Sequence, residues 1–247
     1  MHKGKLILFL LCLVAACTSP TEETRRVRLI EQNAPAVVII NVLRPNGDMF
    51  TATGFVLTPD GLIATTRHVV ENAVYVNVTF NSGAVSTKAQ PVAVSNRVDL
   101  ALLRIPAKHL RTVHLVSSNQ ARPGQNIIVI GNPRRLQNSV FTGIISQIRQ
   151  KSDGTLLHQI TTPLSPSSSG SPVFDEKGRV ISVAFGSYAG ENNQNLNFSL
   201  PSDYLIDLVH TAGQKLPADE ETRFSSNPLV RHVQKSWSVL KRIFHQK

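Results

Sequence analysis

Ser165-Pro166-Ser167-Ser168-Ser169-Gly170-Ser171-Pro172-Val173-Phe174 gathers small residues into a turn and then breaks into an apolar strand. Alone, it reads as a Ser/Pro loop. Two stretches upstream change that reading. His68 follows the hydrophobic run Leu62-Ile63-Ala64-Thr65-Thr66, and Asp99 opens Asp99-Leu100-Ala101-Leu102-Leu103. A histidine, an aspartate and a serine, each beside a strand of buried character, supply the base, its orienting acid and the nucleophile of a serine catalytic triad.

The chain around these residues is rich in strand signals. Residues 37–42 are mostly β-branched and lead into Asn46-Gly47, a hairpin turn whose second strand is 49–57. Pro59-Asp60-Gly61 turns the chain into 62–66, and 74–80, 90–95 and 100–105 complete a first block, with 96–99 as the connection that delivers Asp99. A second block holds 127–131, 139–148, 156–160, 180–185 and 196–200, with Asp175-Glu176-Lys177-Gly178-Arg179 as a further hairpin turn. Short strands punctuated in this way predict an all-β fold of two antiparallel β-barrels with six strands each, split near 117–121. The site then lies in the cleft between barrels. A C-terminal helix is predicted from Pro201 to Val209, with Leu205, Leu208 and Val209 on one side.

Six further segments carry a family likeness in order: Thr53-Gly54-Phe55-Val56-Leu57, Thr65-x-x-His68-Val69-Val70, Asp99 to Ile105, Ile130-Gly131-Asn132-Pro133, Phe141-Thr142-Gly143-Ile144-Ile145-Ser146 and Leu196-Asn197-Phe198-Ser199-Leu200. With the Ser169 loop, they resemble the trypsin-like serine peptidases, specifically the HtrA/Deg-type envelope proteases. Ser171-Pro172-Val173-Phe174 is similar to the glutamyl-endopeptidase branch. The resemblance implies a protease domain over 34–210. It also implies an oxyanion hole made by the backbone amides of Ser167 and Ser169, and a primary pocket walled by Thr162, Pro163, Leu164, Ala184, Phe185, Gly186 and Ser187. No acid stands in those walls, which argues against Lys/Arg specificity and favours apolar or small side chains; His158, Thr161 and Thr162 leave an acidic preference open. Ser167 departs from the family, which has glycine there. A serine must either accept a torsion costing ~1 kcal/mol or more, or let the peptide flip and leave the hole unformed. The run after Val209 is too short for the PDZ domain that HtrA-type enzymes carry.

The ends of the chain bear on location. A basic start, an apolar 6–13 and Val14-Ala15-Ala16-Cys17 read as a signal peptide over 1–16, too short to span a bilayer. Val-Ala-Ala-Cys resembles a lipobox, which implies lipidation of Cys17 and anchorage to the envelope's lipid bilayer. Thr18 in place of aspartate points to an outer membrane where the cell has one. Residues 17–33 then form a polar tether. At the other end, 211–247 is a basic, partly helical extension of a chain with formal charge +10. Within 229–244, Val230, Val233, Trp237, Leu240 and Phe244 form one helical stripe, suited to an anionic membrane surface, a partner helix or the protein's own body. Nucleic acid is not an expected partner, because the chain is exported and no recognition fold accompanies the charge. No cofactor or metal is expected: the glycines lack nucleotide-loop spacing and a His-Glu-x-x-His pattern is missing. The expected function is a serine endopeptidase acting on proteins or peptides in the bacterial cell envelope. The alternative is a catalytically inactive, protease-shaped binding protein.

Overall fold

The computed structural model describes residues 21–80, 87–132, 136, 138–187 and 196–217. Cys17 and the 229–244 stripe lie outside them. The first element falls in the stretch read as a tether. Helix α1 (Glu22–Asn33) is capped by the Thr21 hydroxyl, which accepts the Thr24 amide at 3.2 Å. Glu22 and Glu23 sit in its first turn, where the helix dipole favours negative charge. Leu29 and Asn33 are its buried residues.

A 3-10 turn (Ala34–Ala36) leads into β1 (Val37–Leu43), which hairpins through Gly47 to β2 (Met49–Val56). Next come β3 (Leu62–Thr65), the single turn α2 (Arg67–Val70), β4 (Tyr75–Phe80), β5 (Thr87–Lys88), β6 (Gln90–Val94) and β7 (Ala101–Arg104). These seven strands form one sheet in the order β5-β4-β1-β2-β3-β7-β6. The expected six-stranded barrel is not what forms. The sheet is open and curled, and its two edges are consecutive in the chain. Ala89 joins β5 to β6, and its amide still bonds Val76 O on β4 at 3.0 Å before β6 turns to pair with β7. Pro91 has no N–H for a ladder, and the register slips between Pro91 and Ala93. Covalent chain, rather than a hydrogen-bonded ladder, therefore links the edges.

The second sheet contains β8 (His114–Leu115), β9 (Asn126–Gly131), β10 (Ser139–Gln150), β11 (Leu156–Ile160), β12 (Pro172–Phe174), β13 (Arg179–Ser187) and β14 (Asn197–Pro201). Six of them close into a barrel, because β12 pairs with both β9 and β13. The seventh, β8, adds to β13 in parallel. His114 already pairs with Arg179, so the passage from one sheet to the other falls between Arg104 and His114. Ile127, Val129, Ile145, Ile160 and Val173 fill the closed barrel.

Helix α3 (Ser202–Thr211) follows β14, where Pro201 ends the strand at the N-cap. It buries Leu205, Ile206 and Val209, and Asp203 in its first turn accepts from the Ser117 hydroxyl at 2.7 Å and the Ser118 amide at 3.0 Å. The helix touches both β7 and β14, and so braces one sheet against the other.

Candidate active site

His68 reaches the surface because β3 is buried throughout and Thr66 then starts the short turn α2. The loop before β7 brings Asp99 beneath it. One carboxylate oxygen of Asp99 accepts the His68 backbone amide at 2.8 Å, and the other lies 2.6 Å from Nδ1 of the ring. Burial alone raises this carboxyl, but the two hydrogen bonds from His68, the imidazole's charge and nearby Arg67 outweigh it, and the group is held below the ordinary aspartate range. An ionised Asp99 can only accept, so Nδ1 is the ring nitrogen that donates to it, and Nε2 is the one directed away from the carboxylate.

The loop containing Ser169 is built from its own amides and from β2. Ser168 N donates to Ser165 O at 3.0 Å, Ser171 N to Ser168 O at 3.1 Å and Gly170 N to Ala184 O at 2.7 Å. From the other sheet, Thr53 N donates to Ser169 O at 3.0 Å, and the Thr53 hydroxyl donates to Ser167 O at 2.8 Å. Gly170 has φ +86, and a Cβ there would overlap the Thr53 carbonyl and the Thr65 hydroxyl. The same Thr53 carbonyl accepts the Thr65 hydroxyl at 2.9 Å, three residues before His68. Serine loop and histidine strand therefore share one strand as their scaffold.

Ser167 answers the question its identity raises. It takes the left-handed torsion, φ +76, and its hydroxyl lies 2.9 Å from the Thr51 hydroxyl on β2. Glycine would adopt that torsion freely but could not make that bond. The amides of Ser167 and Ser169 have no hydrogen-bond acceptor among the described residues, unlike their neighbours in the loop. The Ser169 hydroxyl donates to Phe185 O at 3.4 Å, a long bond, and not to His68. Of the three expected side chains, His68 and Asp99 are directly paired and Ser169 faces the adjoining strand.

The seven expected pocket residues divide. Phe185 and Gly186 line a pocket of about 380 Å³ together with Asp99. Phe185 falls at a register slip between Ala184 and Gly186, so it has no cross-strand partner on β14. Ala184 is fully buried, and both its backbone groups bond the serine loop. Ser187 pairs with Asn197 in the ladder. Thr162 is fully buried, while Pro163 is exposed and Leu164 donates its amide to the Asn197 side chain at 3.4 Å. Thr162, Pro163 and Leu164 do not line that pocket. Thr51, Thr53 and Asn132, whose amide donates to the Thr53 hydroxyl at 3.1 Å, have no site role in the sequence reading, where Thr53 and Asn132 enter only as parts of family-like segments. The pertinent signal is the pair of hydroxyls two apart on one face of a strand. Among the described residues no group of three His, Cys, Asp or Glu side chains could hold a metal ion.

The family model for the trypsin-like peptidase domain matches residues 52–183. The chain is 34% identical, over 64% of its length, to a DegP-like periplasmic serine endoprotease of Halomonas elongata, and covers 34% of that protein. It is 30% identical over 76% of its length to Protease Do-like 1, chloroplastic, of Arabidopsis thaliana, covering 47% of it. The solved structure of Deg5 superposes with a TM-score of 0.65 at 26% identity, over 77% of this chain and 94% of that one. The chain thus spans about a third to a half of the length of the two curated relatives. They correct one expectation. The Halomonas relative is periplasmic, which overturns a lipid-anchored, outer-membrane location. The lipobox reading rested on Ala15-Ala16 before Cys17, and small residues also mark an ordinary signal-cleavage site. No helix among the described residues is long and apolar enough to cross a membrane.

Proposed function

Because this chain belongs to the trypsin-like peptidase domain family, we propose that it is a serine endopeptidase of the HtrA/Deg type that cleaves proteins or peptides in the cell envelope. The observation that carries the reading is the pair of contacts Asp99 makes to the His68 backbone amide and to Nδ1, which orient the imidazole as a general base acting through Nε2 requires. In the proposed reaction the Ser169 hydroxyl leaves Phe185 O by a χ1 rotation and donates to Nε2. Its oxygen attacks the scissile carbonyl as His68 takes the proton. The amides of Ser167 and Ser169 receive the oxyanion, and His68 returns the proton to the leaving amine. Water then repeats the sequence on the acyl-enzyme. The peptide lies along Phe185-Gly186, where the register slip frees backbone groups for an added strand. The proteolytic unit spans 34–210.

One observation favours the second reading, a protease-shaped binding protein: the Ser169 hydroxyl faces Phe185 and not His68. A fluorophosphonate probe separates the two. Covalent labelling of the wild-type chain, abolished by Ser169→Ala, is the expected result. Folded protein that stays unlabelled from pH 6 to 9 sinks hydrolysis.

A further inference from the structure

We propose that the pocket between Asp99 and Phe185 is a substrate subsite that selects an acidic side chain, within about four residues of the cleaved bond on the side that pairs with Phe185-Gly186. This deepens the endopeptidase reading and rests on it for the placing of the peptide. The pocket begins beside the nucleophile, since Phe185 O is the acceptor of the Ser169 hydroxyl. Its volume of about 380 Å³ holds one or two side chains. The floor is apolar, made by Leu157, Phe198 and Leu200, and suits a methylene stem.

The rim decides the class of ligand. Arg67, Arg97 and Lys151 line it against one lining carboxylate, Asp99, both of whose oxygens are engaged by His68. Arg67 donates from Nη1 to Ser95 O at 3.1 Å, and its Nε is buried without a partner among the described residues. Arg97 lies 5.3 Å from the Tyr204 ring centroid, and a stacked guanidinium keeps its in-plane donors for other partners. Two acids stand behind the rim. Asp153 lies 3.2 Å from Lys151 in a pair more than half exposed on both sides, a geometry that competes weakly for the ammonium. Asp207 is within electrostatic reach of Arg97, and burial raises its carboxyl above the ordinary aspartate range against the pull of Arg97 and His210. A glutamate entering the pocket would lay its stem on the apolar floor and its carboxylate among three cations. A lysine would meet them as like charges.

The test uses the full chain carrying Ser169→Ala and two fluorescein-labelled peptides, Glu and Gln versions of one sequence. The variable residue is placed in turn at each of the four positions on either side of a central bond. Anisotropy titration is expected to show the Glu peptide binding roughly three- to tenfold tighter at one or two positions on one side only, an advantage that 300 mM NaCl reduces. Arg97→Gln with Lys151→Gln, both exposed residues, is expected to bring the Glu peptide to parity with the Gln peptide measured on the same variant. Equal binding of the two peptides overturns the proposal, as does a Glu advantage that survives the double substitution or no binding at all. Fluorophosphonate labelling of the wild type reads catalysis separately. A Glu advantage without labelling retains the subsite and sinks hydrolysis; labelling without a Glu advantage does the reverse.

Discussion

Ser167 occupies a backbone conformation that disfavours any residue with a Cβ, and a double-mutant cycle with Thr51 measures what holds it there. The left-handed torsion at φ +76 costs a serine ~1–2 kcal/mol relative to glycine. The hydroxyl pair with Thr51, at 2.9 Å and partly buried, returns about 1 kcal/mol. Ser167→Ala keeps the torsion and removes the bond, so it is expected to lose about 1 kcal/mol. Ser167→Gly removes both, and the opposing terms leave it within ~1 kcal/mol of wild type. Thr51→Val loses about 1 kcal/mol in the native background and close to nothing on top of Ser167→Gly, a coupling of about 1 kcal/mol. Guanidinium unfolding of the four proteins reads this cycle directly.

Catalysis amplifies the same term. If the pair biases the Ser167 peptide towards the conformer that presents its amide, about 1 kcal/mol of lost bias lowers kcat roughly fivefold. KM for a quenched-fluorescence peptide is then unchanged, because the amide stabilises charge that exists only in the transition state. Thr51→Ser retains a hydroxyl and is expected to restore much of the rate. An additive cycle refutes the latch, and so does Ser167→Gly less stable than Ser167→Ala.

Three other expectations follow from named contacts. Asp99→Asn leaves the shape near His68 but offers an amide to Nδ1, which favours the wrong tautomer; kcat in a steady-state peptidase assay should fall about 10⁴-fold. His158 is buried with its pKa pushed down to about 4 by desolvation, Asp203 opposing only in part. An unfolded histidine takes up a proton near 6.5 and the folded one does not, so stability is complete above that value and declines as pH falls towards 4. Urea unfolding should show a loss of roughly 2–3 kcal/mol between pH 7 and 4.5, absent in His158→Leu. Asp175 is 4% exposed and accepts the amides of Lys177 and Arg179 and the Arg179 guanidinium, the last at 2.6 and 2.8 Å. Asp175→Ala strands that cation at the β12–β13 hairpin and is expected to cost about 3–5 kcal/mol in thermal or chemical denaturation.

Local chemistry in the sequence was informative where one residue type decides the outcome. Asn46-Gly47 gave the β1–β2 hairpin, and 175–179 gave the turn into β13. The loop before β7 delivers Asp99 because Asn96 and Arg97 are polar and exposed while Leu100 onward is buried. Sheet closure was not legible. Whether an edge pairs with another edge depends on the register slip at Pro91 and on two-residue strands such as β5 and β8, which carry no periodicity. Helix α1 was hidden for a different reason. Its charged composition reads as solvated tether, and the cap at Thr21 with the Glu22–Arg26 pair was the signal to weigh against it. Of the seven expected wall residues, Phe185 and Gly186 line the pocket of about 380 Å³ beside Asp99. A bulge at Phe185 shifts which residues face the cleft, and a bulge is set by cross-strand geometry that a linear pattern cannot carry.

Thr53 shows why the two sheets must act together in the proposed reaction. Its amide holds the Ser169 carbonyl, its hydroxyl holds the Ser167 carbonyl and accepts the Asn132 amide, and its own carbonyl receives the Thr65 hydroxyl. The loop that carries Ser167 and Ser169 and the histidine strand therefore meet at one residue of the first sheet, although the loop belongs to the second. A displacement of one sheet against the other must break these bonds, and cannot simply slide Ser169 past His68. Thr53→Val removes the hydroxyl and keeps the strand. It leaves the buried Asn132 amide and the part-buried Ser167 carbonyl each short of a partner, a loss of about 1–3 kcal/mol for the amide and less for the carbonyl. The Ser167 carbonyl belongs to the loop that carries the proposed oxyanion amides, so kcat should fall further than Thr51→Val lowers it, while Kd for a Ser169→Ala-bound peptide at Phe185-Gly186 holds. Weakened peptide binding with unchanged kcat would show that Thr53 supports the pocket wall and not the loop.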